Sequence, residues 1–302
     1  MRRVIEVAFL LAAAAPAVAQ TGAPAVTRPV SAPAPPRPVS APAPMTPGGF
    51  PGQWAPTPAE WKYPVWPSGC GRFEGDERAA CLQFNAEDYG RLARFAAANA
   101  ALPPAQRNRV VFFGDSITDN WGAPSFGGFF PGRPYVNRGI GGQATSQMLV
   151  RFRADVLALE PAVVVILAGT NDISGNAGPA TLEQVQDNLA DMAELARVHG
   201  IRVVLASLLP VSDDTTGPDG LPRNQTKSRP PEKIAALNAW LAAYAKKNGH
   251  VYLDYFTAVA DAGGRFKKGL TGDGLHPNAA GYAVMRPLAE KAIAQALAKA
   301  KK

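Results

Sequence analysis

Hydrophobic and polar positions along the chain change period in a regular order. Asn85 to Ala101 is an Ala-rich stretch with helical spacing that stops at Pro103-Pro104. Arg109 to Phe113 is a short apolar run that predicts a strand, and Tyr135 to Asn137 predicts a second, shorter one. Gln143 to Leu159 is amphipathic, with Met148, Phe152, Val156 and Leu159 on one helical face. Ala162 to Ala168 is an unbroken, mostly β-branched run, the pattern of a strand covered on both faces. Leu182 to Val198 reads as a helix closed by His199-Gly200, a C-terminal glycine signal. Arg202 to Ser207 predicts a fourth strand, Pro231 to Lys247 a helix closed by Asn248-Gly249, His250 to Asp254 a fifth strand, and Ala279 onward a long final helix. This βαβ alternation predicts an α/β fold, a three-layer α/β/α sandwich around a five-stranded parallel sheet in the flavodoxin-like manner. Ligands of such sheets bind outside the carboxyl ends of the strands, so the chemistry is expected in the loops that follow them.

The chain before this region has a different character. Residues 1–19 carry Arg2 and Arg3, an apolar run from Val7 to Ala15, and the small residues Ala17-Val18-Ala19. This predicts a signal peptide cleaved after Ala19, and therefore a secreted or periplasmic protein. The run is short for a membrane span, so no stable membrane insertion is expected. Residues 20–58 form a Pro/Ala-rich linker with a tandem repeat, Arg28 to Pro36 and then Arg37 to Met45. Proline fixes φ and removes amide donors, which predicts an extended polyproline-II spacer. Residues 59–104 are expected to form an N-terminal helical extension, and residues 105–302 the main body. Cys70 and Cys81 lie close together, and an oxidising compartment favours a disulfide between them over two buried free thiols.

Composition narrows the function. The chain has 302 residues, 47% of them hydrophobic, and a formal charge of +7 spread without a basic block longer than Lys301-Lys302. That distribution gives nucleic-acid binding little support, and none is expected. Two cysteines exclude a Cys-rich zinc domain, and three histidines (His199, His250, His276) leave few ways to build a metal site or a general base. No metal and no cofactor are expected.

Four loops remain. Gly114-Asp115-Ser116-Ile117-Thr118-Asp119 follows the first strand, and its serine sits where a nucleophile or a helix N-cap belongs. Asn137-Arg138-Gly139-Ile140-Gly141-Gly142-Gln143 follows the second strand, and its glycines suit an oxyanion-binding amide or a tight turn. Gly169-Thr170-Asn171-Asp172 follows the third, and Asn171 either aims an amide into a site or closes an Asx-turn. Gly272-Asp273-Gly274-Leu275-His276-Pro277-Asn278 precedes the last helix. Its Asp-x-x-His spacing lets a carboxylate accept the imidazole Nδ1–H, and it also suits a solvated surface turn. His199 ends a helix, and His250 opens a strand on the side away from the active loops.

Taken together, GDSIT at Ser116, GIGGQ at Gly142, GTND at Asn171 and DGLHPN at His276 resemble the SGNH hydrolase superfamily, also called GDSL esterases. The likeness covers roughly Asn108 to Ala296, and its wording is nearest to the branch containing platelet-activating-factor acetylhydrolase catalytic subunits. The first motif here reads GDSI for GDSL, and Gln143 stands where many relatives carry Asp. The resemblance implies the SGNH hydrolase fold and a carboxylic ester hydrolase working through Ser116, His276 and Asp273 and an acyl-enzyme. It implies an oxyanion hole made by the backbone N–H of Ser116, the backbone N–H of Gly142 and the side-chain amide of Asn171. Activity should then rise with pH as the imidazole loses its proton. The G-x-S-x-G elbow of α/β-hydrolases is absent from the sequence.

The substrate is less legible. Loop-borne residues at a sheet edge point to a shallow cleft and small acyl groups, acetyl foremost, carried by a small molecule or an acylated carbohydrate. Asp115 and Trp121 beside the nucleophile are candidate substrate-binding residues, and Phe126, Phe129 and Phe130 suit either a pocket wall or the core. Val211 to Pro230 is a long segment after the fourth strand that either overhangs the site or is a tolerated surface loop. A non-catalytic glycan-binding module, an acyltransferase and a lysophospholipase are the competing functions.

Overall fold

A computed structural model of the chain describes residues 74–298, except 107, 127 and 217–222. The expected signal peptide, the linker and Cys70, and with it the disulfide, lie outside the described residues; Cys81 is buried.

Strands β1 (Val110–Gly114), β2 (Tyr135–Gly139), β3 (Val163–Leu167), β4 (Arg202–Ala206) and β5 (Val251–Leu253) form one parallel sheet in the order β2-β1-β3-β4-β5. β1 and β3 are buried at every position. Their alternate side chains feed two separate cores. Val111, Phe113, Val164 and Ile166 join the cluster that holds Met148, Phe152, Leu189 and Leu237. Val110, Phe112, Val163 and Val165 join the cluster with Trp121, Tyr282 and Met285. Each fully buried Val, Ile or Phe contributes roughly 1.5–3 kcal/mol of transfer free energy, so two covered faces make the central strands the stiffest part of the molecule. The register leaves the carboxyl ends flush, since Gly114 pairs with Gly139 on one side and Leu167 on the other.

One expected element differs. The helix read over Asn85 to Ala101 is instead α1 (Gly75–Glu87), a turn through Asp88 to Arg91, a 3₁₀ turn at Leu92–Phe95, and α2 (Ala96–Ala100). Arg91 adopts φ 53°, and the Asp88 carboxylate accepts the Leu92 N–H at 2.9 Å, so a new turn starts there. The interruption lets this segment dock on residues 143–147, more than 50 positions further along the chain. Gln147 Nε2 donates to Tyr89 O and Gln143 Nε2 to Gly90 O, both at 3.1 Å. The sequence pattern shows an Ala-rich face but not this docking partner.

The expected helices are α4 (Thr145–Asp155), α6 (Leu182–Val198), α8 (Pro231–Asn248) and α10 (Ala279–Ala298), and four short ones that the pattern did not show join them: α3 (Ser116–Trp121), α5 (Thr170–Ile173), α7 (Gln225–Ser228) and α9 (Phe256–Val259). α4, α6 and α8 supply the first core, and α3 and α10 the second. No described helix is long and apolar enough to cross a membrane.

Gly139, the last residue of β2, lets α3 lie directly on the sheet end. A Cβ there would collide with the Asp119 amide and the Thr118 carbonyl carbon, which are backbone and cannot yield. Gly139→Ala is expected to lower unfolding free energy by ~1–3 kcal/mol or more in urea titrations. An unchanged midpoint would show that α3 does not need this close approach.

Candidate active site

Three of the four candidate loops leave the carboxyl ends of strands β1, β2 and β3. β1 ends at Gly114, Asp115 caps α3 by accepting the Ile117 N–H at 2.9 Å, and Ser116 is the first residue of that helix. Its N–H belongs to the first turn, where the helix supplies no acceptor. Facing it is the loop before α10. His276 Nε2 lies 2.8 Å from Ser116 Oγ, and His276 Nδ1 lies 2.7 Å from Asp273 Oδ2. With Nδ1–H donated to the carboxylate, Nε2 is left as acceptor for the serine O–H. Asp273 also holds its own loop, because Oδ1 accepts the backbone N–H of His276 at 2.8 Å and of Leu275 at 3.0 Å. Burial pushes the Asp273 carboxyl up, but the His276 hydrogen bond, the imidazolium charge and these two N–H donors outweigh it and hold it well below the usual carboxylate range. Tyr282 O–H donates to Ile117 O at 2.7 Å, tying α10 to α3 across the same gap.

The other two loops meet beside the serine. Gly142 adopts φ 78°, the left-handed region that a glycine enters without steric cost. Asn171, 2% exposed, donates Nδ2–H to Gln143 O at 3.0 Å. Asn176 Nδ2 donates both to Asn171 Oδ1 at 3.0 Å and to Gly142 O at 3.2 Å, so one side chain pins the two loops to each other. Asp172 accepts from Thr145 N at 3.0 Å and Thr145 Oγ1 at 2.6 Å, which fixes the start of α4 against the β3 loop.

Residues 112–284 match the GDSL-like lipase/acylhydrolase family. A Bacteroides fragilis protein assigned as an acylhydrolase shares the fold at TM-score 0.63 and 41% identity, covering 70% of this chain and 99% of that one. The chain belongs to this family. A GDSL-like lipase from Bacteroides thetaiotaomicron is similarly close, with TM-score 0.62 and 39% identity over 69% of this chain and 100% of that chain. Esterase TesA of Pseudomonas aeruginosa is 40% identical over 73 residues, 24% of this chain and 35% of TesA. The chain spans about a third of the length of the curated relatives it matches.

In this GDSL-like chain, several residues beneath the loops went unread in the sequence. Arg151 is fully buried on α4. Its guanidinium donates to Gly114 O at 3.0 Å, Arg138 O at 2.9 Å, Gln143 Oε1 at 2.5 Å and Asp155 Oδ2 at 3.1 Å, and it lies 4.2 Å from the centroid of the Phe113 ring. Burial lowers its pKa to about 10, and Asp155 opposes that shift. It therefore ties the ends of β1 and β2 to the glycine loop. A signal was present, since an arginine stands on the apolar face of α4 between Met148 and Phe152. Arg229 and Asn176 had no such signal, because their partners are remote in sequence or specific to the turn.

The candidate substrate-binding residues are both buried. Asp115 is 0% and Trp121 2% exposed. Trp121 stacks on Tyr282 with ring centroids 5.0 Å apart, and Phe130 packs against it at 5.1 Å. Phe126 and Phe129 lie against the same cluster. These aromatic side chains form core beneath the site and do not line a pocket over it, because α3 turns its apolar face to the sheet. A cleft of about 420 Å³ opens among Phe95, Asp119, Asn120, Gly122, Ala123 and Asn137, towards the other end of α3 and without Ser116 in its lining. The segment after β4 does reach the site: Ser212 N donates to Gly274 O at 2.9 Å and Gln225 Nε2 to Asp273 O at 3.0 Å. Among the described residues, no group of three or more His, Cys, Asp or Glu is disposed to hold a metal ion.

Asp115 is an electrostatic burden built into the fold. Burial raises its pKa to about 6, against its hydrogen bond from Ile117 and the charges of His276 and Arg229, and its Oδ2 has no hydrogen-bond partner among the described residues. A carboxyl whose folded pKa is raised binds its proton more tightly when folded, so its contribution to stability falls as pH rises towards 6. Ionising it in place costs ~3 kcal/mol. Relative to Asp115→Asn, the wild-type protein should lose up to about this much stability between about pH 4 and pH 6.5, read from urea titrations at each pH. Parallel pH profiles for the two proteins would contradict this.

Proposed function

We propose that the protein is an exported serine ester hydrolase acting on carboxylic esters with small acyl groups, acetyl foremost. The observation that carries this reading is the hydrogen-bonded series Ser116 Oγ, His276 Nε2, His276 Nδ1, Asp273 Oδ2, with gaps of 2.8 and 2.7 Å. Ser116 Oγ attacks the ester carbonyl while His276 takes its proton. The oxyanion that forms is held by the N–H groups of Ser116 and Gly142 and by the Asn171 amide. Collapse breaks the ester C–O bond, and the imidazolium protonates the departing alcohol. Water then attacks the acyl-serine as His276 removes its proton, and collapse releases the acid and returns the proton to Ser116. Asp273, ionised far into the acid range, orients the ring and stabilises the imidazolium.

The small-acyl preference is supported by the placement of the aromatic residues. Trp121 and Phe130 belong to the core cluster and Phe126 and Phe129 pack against it, an arrangement that offers no apolar channel for a long chain at the serine. Export rests on the charged, apolar and small-residue pattern of residues 1–19.

Hydrolysis of p-nitrophenyl esters tests the reading. Ser116→Ala should lower kcat by about 10⁴-fold or more, and Asn171→Ala by about 10²–10³-fold. Across acetyl, butyryl and octanoyl esters, kcat/KM should fall with chain length. Wild-type turnover by Ser116→Ala would overturn the mechanism, and a preference for the octanoyl ester would overturn the acyl assignment. Product analysis with a competing sugar acceptor separates hydrolysis from acyl transfer.

A further inference from the structure

We infer that Arg229, on the segment between β4 and α8, is a positioning residue for the oxyanion-binding amide of Asn171. The inference rests on the ester-hydrolase reading above and adds a residue to it from outside the four family motifs. Arg229 is 8% exposed. Its backbone is extended, with φ −132° and ψ 75°, as the residue before a proline must be, and Pro230-Pro231 then lead into α8. The side chain thus leaves a rigid corner and enters the space beneath the β3 loop.

Its guanidinium reaches both sides of the site. Nε donates to Thr170 Oγ1 at 3.2 Å, and Nη2 approaches Asn171 Oδ1 at 3.5 Å. Nη1 donates to Gln225 Oε1 at 3.1 Å, and the Nε2 of the same Gln225 donates to Asp273 O at 3.0 Å. One short relay of side chains therefore connects the amide that receives the oxyanion to the backbone carbonyl of Asp273, the residue behind the histidine.

The consequence for Asn171 is directional. Two donors, Asn176 Nδ2 and Arg229 Nη2, converge on its Oδ1, while its Nδ2 meets the Gln143 carbonyl. A flipped amide would set NH₂ against two donors and oxygen against a carbonyl. The observed orientation spends one Nδ2 hydrogen on Gln143 and keeps the other for substrate. Charge adds to geometry. The Asp115 and Asp273 carboxylates favour the charged form of Arg229 against its burial. A guanidinium, which stays protonated, polarises the Asn171 amide towards the oxyanion through its Oδ1. The benefit is greatest in the transition state, so it should appear in kcat more than in KM.

Steady-state hydrolysis of p-nitrophenyl acetate by wild type, Arg229→Met, Arg229→Lys, Asn171→Ala and Asn171→Ala/Arg229→Met tests this. Arg229→Met should lower kcat by about 10–100-fold with KM within a few-fold of wild type, and Arg229→Lys should recover part of the loss. Because Arg229 acts through Asn171, the double variant should be no slower than Asn171→Ala alone beyond a few-fold. Wild-type kcat in Arg229→Met, a loss confined to KM, or multiplying effects in the double variant would each overturn the proposal while leaving the ester-hydrolase reading intact. That reading fails separately, if Ser116→Ala retains turnover. If Arg229→Met shows no cooperative thermal transition, the same cycle run with Arg229→Lys decides by the same criteria.

Discussion

A parallel sheet buried on both faces leaves polar chemistry a single address, the carboxyl edge. In this protein strands β1 and β3 have no exposed position, so a charged group against either face must be paired, as Arg151 is with Asp155. β1 and β3 are neighbours although β2 lies between them in the chain, and their end loops carry Ser116 and Asn171 side by side. The flush register then brings the glycine loop after β2 to the same level. The His276 loop is delivered from the opposite direction by α10, whose Tyr282 bonds back to α3. Proximity of Ser116 and His276, 160 residues apart, follows from this packing.

The edge is also where the protein accepts its largest electrostatic costs. Asp115, Asp172 and Asp119 are all pushed up by burial, and Arg151 and Arg229 are pushed down by it. Each of these carboxylates holds a backbone N–H of a loop at this edge: Ile117 by Asp115, Thr145 by Asp172 and Gly141 by the half-buried Asp119. The arginines answer them by binding strand-end carbonyls and amide oxygens. Buried charge is weak evidence for stability, but a network of this kind fixes loop positions to within hydrogen-bond tolerance, which is what a proton relay and an oxyanion site require.

Much of this was legible in the sequence because it is local. The AVVVILA run, the glycine after α6 and the prolines before α8 are short-range signals, and the strands and helices they predict stand within a few residues of where the structure has them. The motif residues were legible for the same reason, and the structure brings Ser116, His276 and Asp273 into contact and sets Asn171 next to the Gly142 loop. What was not legible is tertiary. The helix over 85–101 breaks because Asp88 and Arg91 open a new turn that docks on α4, a contact no periodicity records. Trp121 and the phenylalanines after it follow Ser116 in sequence, yet α3 carries Trp121 inward and the phenylalanines pack on the same cluster. Arg229 sits in a Pro-rich stretch that reads as loop, and only the fold shows that it ends beneath Asn171.

The account stands or falls on Ser116 carrying the acyl group. Rapid quenching of the protein with an excess of an activated acetate ester, followed by peptide mass spectrometry, reads this directly. An acetyl adduct on the Ser116 peptide that forms at least as fast as turnover, and is absent from Ser116→Ala, is the predicted result. Steady turnover with Ser116 never modified, or an adduct on another residue at the kinetically competent rate, would contradict it.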